Sequence, residues 1–209
     1  MARVRWSREA AAHLSRVDPT MASLVKRFGP PAIDVPQRRS PFEALARAIA
    51  HQQLNGRAAE TIYNRYAIAM GDHTDPGALL GLSDETLRAC GFSRAKSLAL
   101  RDLAEKATAG VVPARAVLTK LDDEAIVERL VEVRGVGRWT VEMLLIFTLG
   151  RPDVLPVDDF GVQNGFRIAY HKRSRPKPKV LATFGKRWAP FRSAAAHYLW
   201  KAADDKTAT

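Results

Sequence analysis

Residues that start and stop helices punctuate this chain along its length, whereas runs of alternating apolar and polar residues long enough for strands are scarce. Asp18-Pro19 reads as an N-cap followed by proline at the first helical position, and Gly29 closes that helix. Ser40-Pro41-Phe42-Glu43 is a capping box, with Phe42, Leu45, Ile49 and Gln53 along one side of the helix it opens. Further helices are predicted from near Gly56 to before Gly71, from Ser83, from Ser93 to Gly110, from Asp122 through Glu132, and over Arg138–Leu149, Asp158–Tyr170 and Pro190–Ala203. The expected fold is all-α, about ten helices with short connections.

With 209 residues, 46% of them hydrophobic, the chain can bury one substantial core or two small lobes sharing a cleft. A single domain over residues 1–209, made of two helical lobes with a central cleft, is therefore expected. Lys and Arg number 33 against 22 Asp and Glu, a net charge of +11. Such a surplus points to a polyanionic partner, because each phosphate neutralised by a cation releases condensed counterions. The single cysteine, Cys90, excludes an internal disulfide, a cysteine-based zinc finger and a four-cysteine iron–sulfur cluster, and its neighbours Leu87, Ala89 and Phe92 place it in the core. Arg3, Arg5, Arg8 and Glu9 interrupt any apolar run at the start, and no later stretch reaches the roughly 18 apolar residues of a membrane span. One segment departs from the helical pattern: HKRSRPKPK at 171–179 reads as a basic loop, either a solvated linker or a phosphate-binding segment.

The narrowest pattern is LVEVRGVGRWT, Leu130 to Thr140, in which two apolar-periodic helices meet through a turn carrying Gly135 and Gly137. Glycines permit positive φ and the close approach of another backbone. The first N–H groups of the helix that follows point outward with the positive end of its dipole, which suits a phosphate oxygen.

With this hairpin, near 124–149, and three further blocks, GFSRAK at 91–96, LPVDDF at 155–160 and RWAPFRSA at 187–194, the chain resembles the helix-hairpin-helix DNA glycosylases, and within them the 3-methyladenine DNA glycosylase II group. The resemblance runs from about Asp18 to Ala203. It implies base excision repair: an alkylated purine of the 3-methyladenine or 7-methylguanine type is flipped out of double-stranded DNA and its N-glycosidic bond is hydrolysed. The protein is then expected to be a cytoplasmic, nucleoid-associated monomer with no membrane contact.

The resemblance places the catalytic carboxylate on Asp159. Independently, a fixed carboxylate stabilises the oxocarbenium-like sugar left when a cationic base departs, and can orient the attacking water. Asp158 is assigned to cap the following helix, with an exchange of the two roles left open. Where relatives resembling endonuclease III carry a lysine that forms a Schiff base, this chain has Trp139, so no β-lyase step is expected. The resemblance further implies that Trp139 and Trp200 flank the flipped base, their electron-rich faces attracting a cation. Met143 stands where some relatives have tyrosine and completes the expected pocket.

In the block HQQLNG at 51–56, Leu54 or Asn55 is the expected wedge that fills the hole left by flipping, with Gln53 beside it. Gly135, Gly137, Arg138, Thr140, Lys172 and Arg173 complete the expected DNA contacts. Tyr63 and Tyr66 are read as core. No cofactor is required and no iron–sulfur cluster is expected. The resemblance implies only a structural Na⁺ or K⁺ on the backbone carbonyls of Val131, Val133 and Val136. The competing readings are a monofunctional glycosylase for another damaged or mismatched base and a non-enzymatic helix-hairpin-helix DNA-binding module.

Overall fold

The computed structural model describes residues 2–36, 39–54, 56–71 and 75–205. The helices are α1 (Ser7–Val17), α2 (Pro19–Phe28), α3 (Pro41–His51), α4 (Gly56–Ala69), α5 (Pro76–Gly81), α6 (Asp84–Cys90), α7 (Arg94–Thr108), α8 (Arg115–Leu118), α9 (Asp123–Leu130), α10 (Arg138–Leu144), α11 (Phe160–Ala169), α12 (Pro178–Gly185) and α13 (Arg192–Asp204). The fold is all-α, as expected, but with thirteen α-helices among the described residues rather than ten. The one ladder among the described residues, Ala2–Arg3 antiparallel to Asp34–Val35, is two residues per strand.

Nine of the thirteen match the spans read from the sequence, and the other four are α1, α5, α8 and α12. Three of them, α1, α8 and α12, begin without a side-chain cap hydrogen bond, so the signal that marks a helix start is missing. The expected caps do form: Asp18 accepts from Thr20 and Met21, Ser40 from Glu43, and Ser93 from Lys96. The expected loop at 171–179 is shortened, because Pro178 opens α12 at a position where its missing N–H costs nothing. The helix expected over 138–149 is α10 followed by a π turn at Leu145–Leu149.

The chain divides into two compact units, one built from both chain ends (1–37 and 145–209) and one from the middle (38–144). In the unit of the chain ends, α11 lies against α13, and α1 and α2 pack together. Leu14, Met21, Val162, Phe166, Trp188, Tyr198 and Leu199 form its core. Gly165 allows the closest approach, since a Cβ there would overlap the carbonyl oxygen of Leu199. At the foot of this core Asp18 is buried, and besides capping α2 its Oδ2 accepts from the Tyr170 hydroxyl at 2.7 Å and from the Trp188 indole at 3.0 Å. In the middle unit, α3 packs on α4, α7 and α10, with α5 and α6 on α7. Leu45, Ile49, Leu100, Leu103, Ile126 and Leu130 are fully buried there, and Cys90, Tyr63 and Tyr66 are buried as read from the sequence.

Candidate functional site

In the unit of the chain ends, the segment before α11 is tied to α13. Arg192 grips Asp153 with two nitrogens, Nε to Oδ1 at 2.7 Å and Nη2 to Oδ2 at 2.9 Å. The fully buried Ser193 hydroxyl donates to the Arg151 carbonyl at 2.7 Å and accepts from the Val154 N–H at 3.0 Å. This anchored segment delivers Asp159 to the start of α11. Asp159, not Asp158, is the N-cap: its Oδ1 accepts from the Val162 N–H at 2.7 Å, while Asp158 is exposed. The assignment of capping to Asp158 is thus corrected, because an N-cap must sit immediately before the first helical residue, here Phe160.

The same Oδ1 accepts from the Trp200 indole at 2.8 Å. Trp200 is half-buried on α13 and its ring lies 5.6 Å from that of Phe147, which the π turn carries. A π turn inserts an extra residue and so re-aims the side chains it bears. Sequence reasoning finds neither Phe147 nor the bond from Trp200 to the carboxylate. Gly161 makes room for this arrangement: a Cβ there would lie 2.8 Å from Trp200 Cδ1 and 3.1 Å from Asp159 Oδ1.

Next to Asp159, Phe160 is 64% exposed, and the guanidinium of Arg175 lies 4.3 Å from its ring centre. Arg175 also donates to Gln163 Oε1 at 3.4 Å, and Gln163 Nε2 donates to the Val157 carbonyl at 2.8 Å. The basic loop is therefore fastened to the start of α11 and is no free linker at this point. Lys172 and Arg173 are exposed.

In the middle unit, the hairpin between α9 and α10 is held from outside. Its Arg134 N–H donates to Asp102 at 2.6 Å, Lys106 Nζ donates to the Glu132 carbonyl at 2.6 Å, and Gln52 Nε2 donates to the Gly135 carbonyl at 2.8 Å. None of these three partners is read from the sequence. Only Gly135 of the two glycines takes positive φ, at 77°, whereas Gly137 has no other atom within 4 Å of where a Cβ would stand. Arg138 forms a two-nitrogen pair with Glu124, which holds that carboxyl below its ordinary range.

Trp139 is 46% exposed and lines a cavity of about 440 Å³ together with Met143, His51, Gln52, Gln53 and Gly135. The expected partners Trp139 and Met143 are thus brought to one cavity. Thr140, in the first turn of α10, lines it too and is 5% exposed. Gln53 is held at φ 57°, uncommon for a side chain with a Cβ, in the turn that leaves Leu54 41% exposed. Exposure of so large an aliphatic side chain at a turn fits a wedge. Asn55 lies outside the described residues.

Over residues 46–190 the chain matches the family described as HhH-GPD superfamily base excision DNA repair protein. It is 40% identical over 197 residues to the DNA-3-methyladenine glycosylase 1 of Schizosaccharomyces pombe, covering 92% of this chain and 86% of that protein. It is similar to the structure of a Schizosaccharomyces pombe 3-methyladenine DNA glycosylase in complex with abasic DNA, with TM-score 0.82 and 38% identity over 92% of this chain and 95% of that one. It is also similar to the DNA-3-methyladenine glycosidase of Bacillus halodurans, with TM-score 0.87 and 32% identity over 99% of this chain and 94% of that one. The hairpin, the helical architecture and a match over more than half of the chain agree, and this protein belongs to the HhH-GPD superfamily of base excision DNA repair proteins.

Proposed function

We propose that the protein is a monofunctional DNA glycosylase that excises alkylated purines from double-stranded DNA. The observation that carries the reading is the Asp159 carboxylate, fixed by the Val162 N–H and the Trp200 indole. A carboxylate whose position is set before the reaction stabilises positive charge on a sugar without reorganising. The C1′–N bond breaks with its electron pair leaving on the base, a water oxygen bonds to C1′, and the water proton passes to Asp159 or to solvent. A cationic base leaves readily as a neutral molecule, so no strong general acid is needed.

The half-exposed Trp139 and the neighbouring Met143 support a cavity that takes a flat, positively charged base, since an indole face attracts cations. Trp139 also occupies the position at which a lyase needs an amine, which supports release of the base without strand cleavage. The open side of Gly137 and the positive φ of Gly135 support a hairpin that meets the DNA backbone, and Leu54 supports the wedge.

The valine carbonyls of the hairpin fit a hard monovalent cation, because oxygen donors without charge suit such an ion. Side chains hold the carbonyls of Glu132 and Gly135, whereas Val133 O accepts a backbone N–H of Val136 at 3.0 Å and keeps a second lone pair. Val131, Val133 and Val136 would hold Na⁺ or K⁺ there, and the ion would supply positive charge toward a phosphate.

The test is base release from duplex DNA treated with dimethyl sulfate. Free 3-methyladenine and 7-methylguanine should appear, with strands that break only after alkali. Release of neither base would overturn the proposal.

A further inference from the structure

The cavity of the middle unit contains one titratable side chain among its lining residues, His51, and nothing in the chemistry above uses it. His51 ends α3, the helix that packs on α4 and α7. Its Nε2 is buried without a hydrogen-bond partner among the described residues, and the nearest carboxylate oxygen, Glu60 Oε2 on α4, stands 3.4 Å away. That carboxylate is already committed: Arg47 Nη1 and Nη2 reach its two oxygens at 3.2 and 2.5 Å. On α7, Lys96 donates its Nζ to the carbonyl of Ala50, the residue before His51. The residues that α10 contributes to the cavity, Trp139, Thr140 and Met143, carry no charge.

We infer that His51 sets the charge selectivity of this cavity: as a neutral imidazole it admits a positively charged alkylated base against Trp139, and protonation turns the cavity against that class while leaving uncharged damaged bases far less affected. The inference rests on the proposed glycosylase function and names the feature that selects its substrates. A cationic base and an imidazolium in one partly dry cavity repel, and the repulsion is strongest where water is excluded. Burial, with the cations of Arg47 and then Lys96, lowers the His51 pKa from 6.5, against the opposing pull of Glu60. The neutral form therefore prevails at neutral pH, and the cavity changes character on the acid side.

The test compares release of methylated purines from dimethyl-sulfate-treated DNA with release of hypoxanthine, an uncharged base, between pH 7.5 and 5. The readout is the ratio of the two single-turnover rates, in which effects on folding and on Asp159 cancel. In the wild type this ratio should fall with acid by about fivefold or more relative to His51→Gln, on the scale of one added charge in a half-exposed site. Glu60→Gln removes the charge that raises the His51 pKa, so it should move the midpoint of the fall to lower pH. Identical profiles in the wild type and His51→Gln, or a midpoint that Glu60→Gln leaves unmoved, would overturn the role of His51 while the glycosylase function stands. Release of no methylated purine by the wild type at any pH would overturn both.

Discussion

Trp200 donates its indole N–H to Oδ1 of Asp159 at 2.8 Å, across 41 residues of sequence. Asp159→Asn should lower excision by roughly 10² or more while duplex binding survives, the scale of losing one preorganised electrostatic group. Trp200→Phe keeps an aromatic ring but removes the donor, and a hydrogen bond to a charged group contributes about 1.5–3 kcal/mol. Single-turnover rates should therefore drop about tenfold or more, and loss of the same bond should lower the melting temperature by about 3–12 °C. If Asp158→Asn proves the crippling change and Asp159→Asn does not, the assignment is wrong.

Two glycines of α11 separate the site from the core. Gly161→Ala would press a Cβ against Trp200 Cδ1 at 2.8 Å, so it should cut the rate while costing modest stability. Gly165→Ala meets backbone, the Leu199 carbonyl, which cannot swing aside as a side chain can. It should destabilise by about 3 kcal/mol or more, lowering the melting temperature by roughly 6–12 °C in a protein of this size. Calorimetry of the two variants checks the contrast, and equal melting temperatures would contradict it.

Borohydride added during turnover should trap no covalent protein–DNA adduct, because Trp139 supplies no amine where a lyase would need one. A strong adduct, mapped by proteolysis to any lysine, would remove the monofunctional reading.

The basic segment has two kinds of cation. Lys172 and Arg173 are exposed, and neutralising both should weaken binding to damaged and intact duplex alike, flattening the slope of log affinity against log salt by up to about 0.9 for each phosphate no longer neutralised. Arg175 stacks on Phe160, the residue after Asp159, so Arg175→Ala should also slow the reaction at saturating enzyme. An unchanged salt slope in the first variant would make this part of the segment a solvated linker.

Alkali should unfold the unit of the chain ends through its tyrosines. Burial and the bond to Asp18 raise the Tyr170 pKa above 10.0, and burial raises that of Tyr198. A phenol raised in the folded state stabilises fully below its unfolded value, and that stability is lost as pH climbs from about 10 toward the folded value. Denaturant midpoints should fall above pH 10, and Tyr170→Phe should be less stable at pH 7 yet lose less on going to pH 11. An equally steep alkaline decline in Tyr170→Phe would show that Tyr170 takes no part in it.

What the amino-acid sequence determined by itself lies within short reach along the chain. Asp18, Ser40 and Ser93 cap helices because a cap bonds residues two or three positions on, and Asp75-Pro76 at the start of α5 carries the same kind of signal. The hairpin glycines and the tryptophan after them lie within one short block, and such blocks made the family legible, whereas the pattern before α11 points to Asp158 as the cap, one residue short of Asp159. The tertiary structure alone decided how these pieces are held. Gln52 reaches Gly135 across 83 residues, Ser193 reaches Val154 across 39, and Trp200 reaches Asp159 only because Gly161 leaves space for its ring. Such bonds have no period and no fixed spacing, since they arise where packed helices happen to bring distant donors and acceptors together. His51 shows the same limit: its sequence neighbours give it no special character, and only the packing of α3, α4 and α7 puts it in a cavity between a committed carboxylate and two cations.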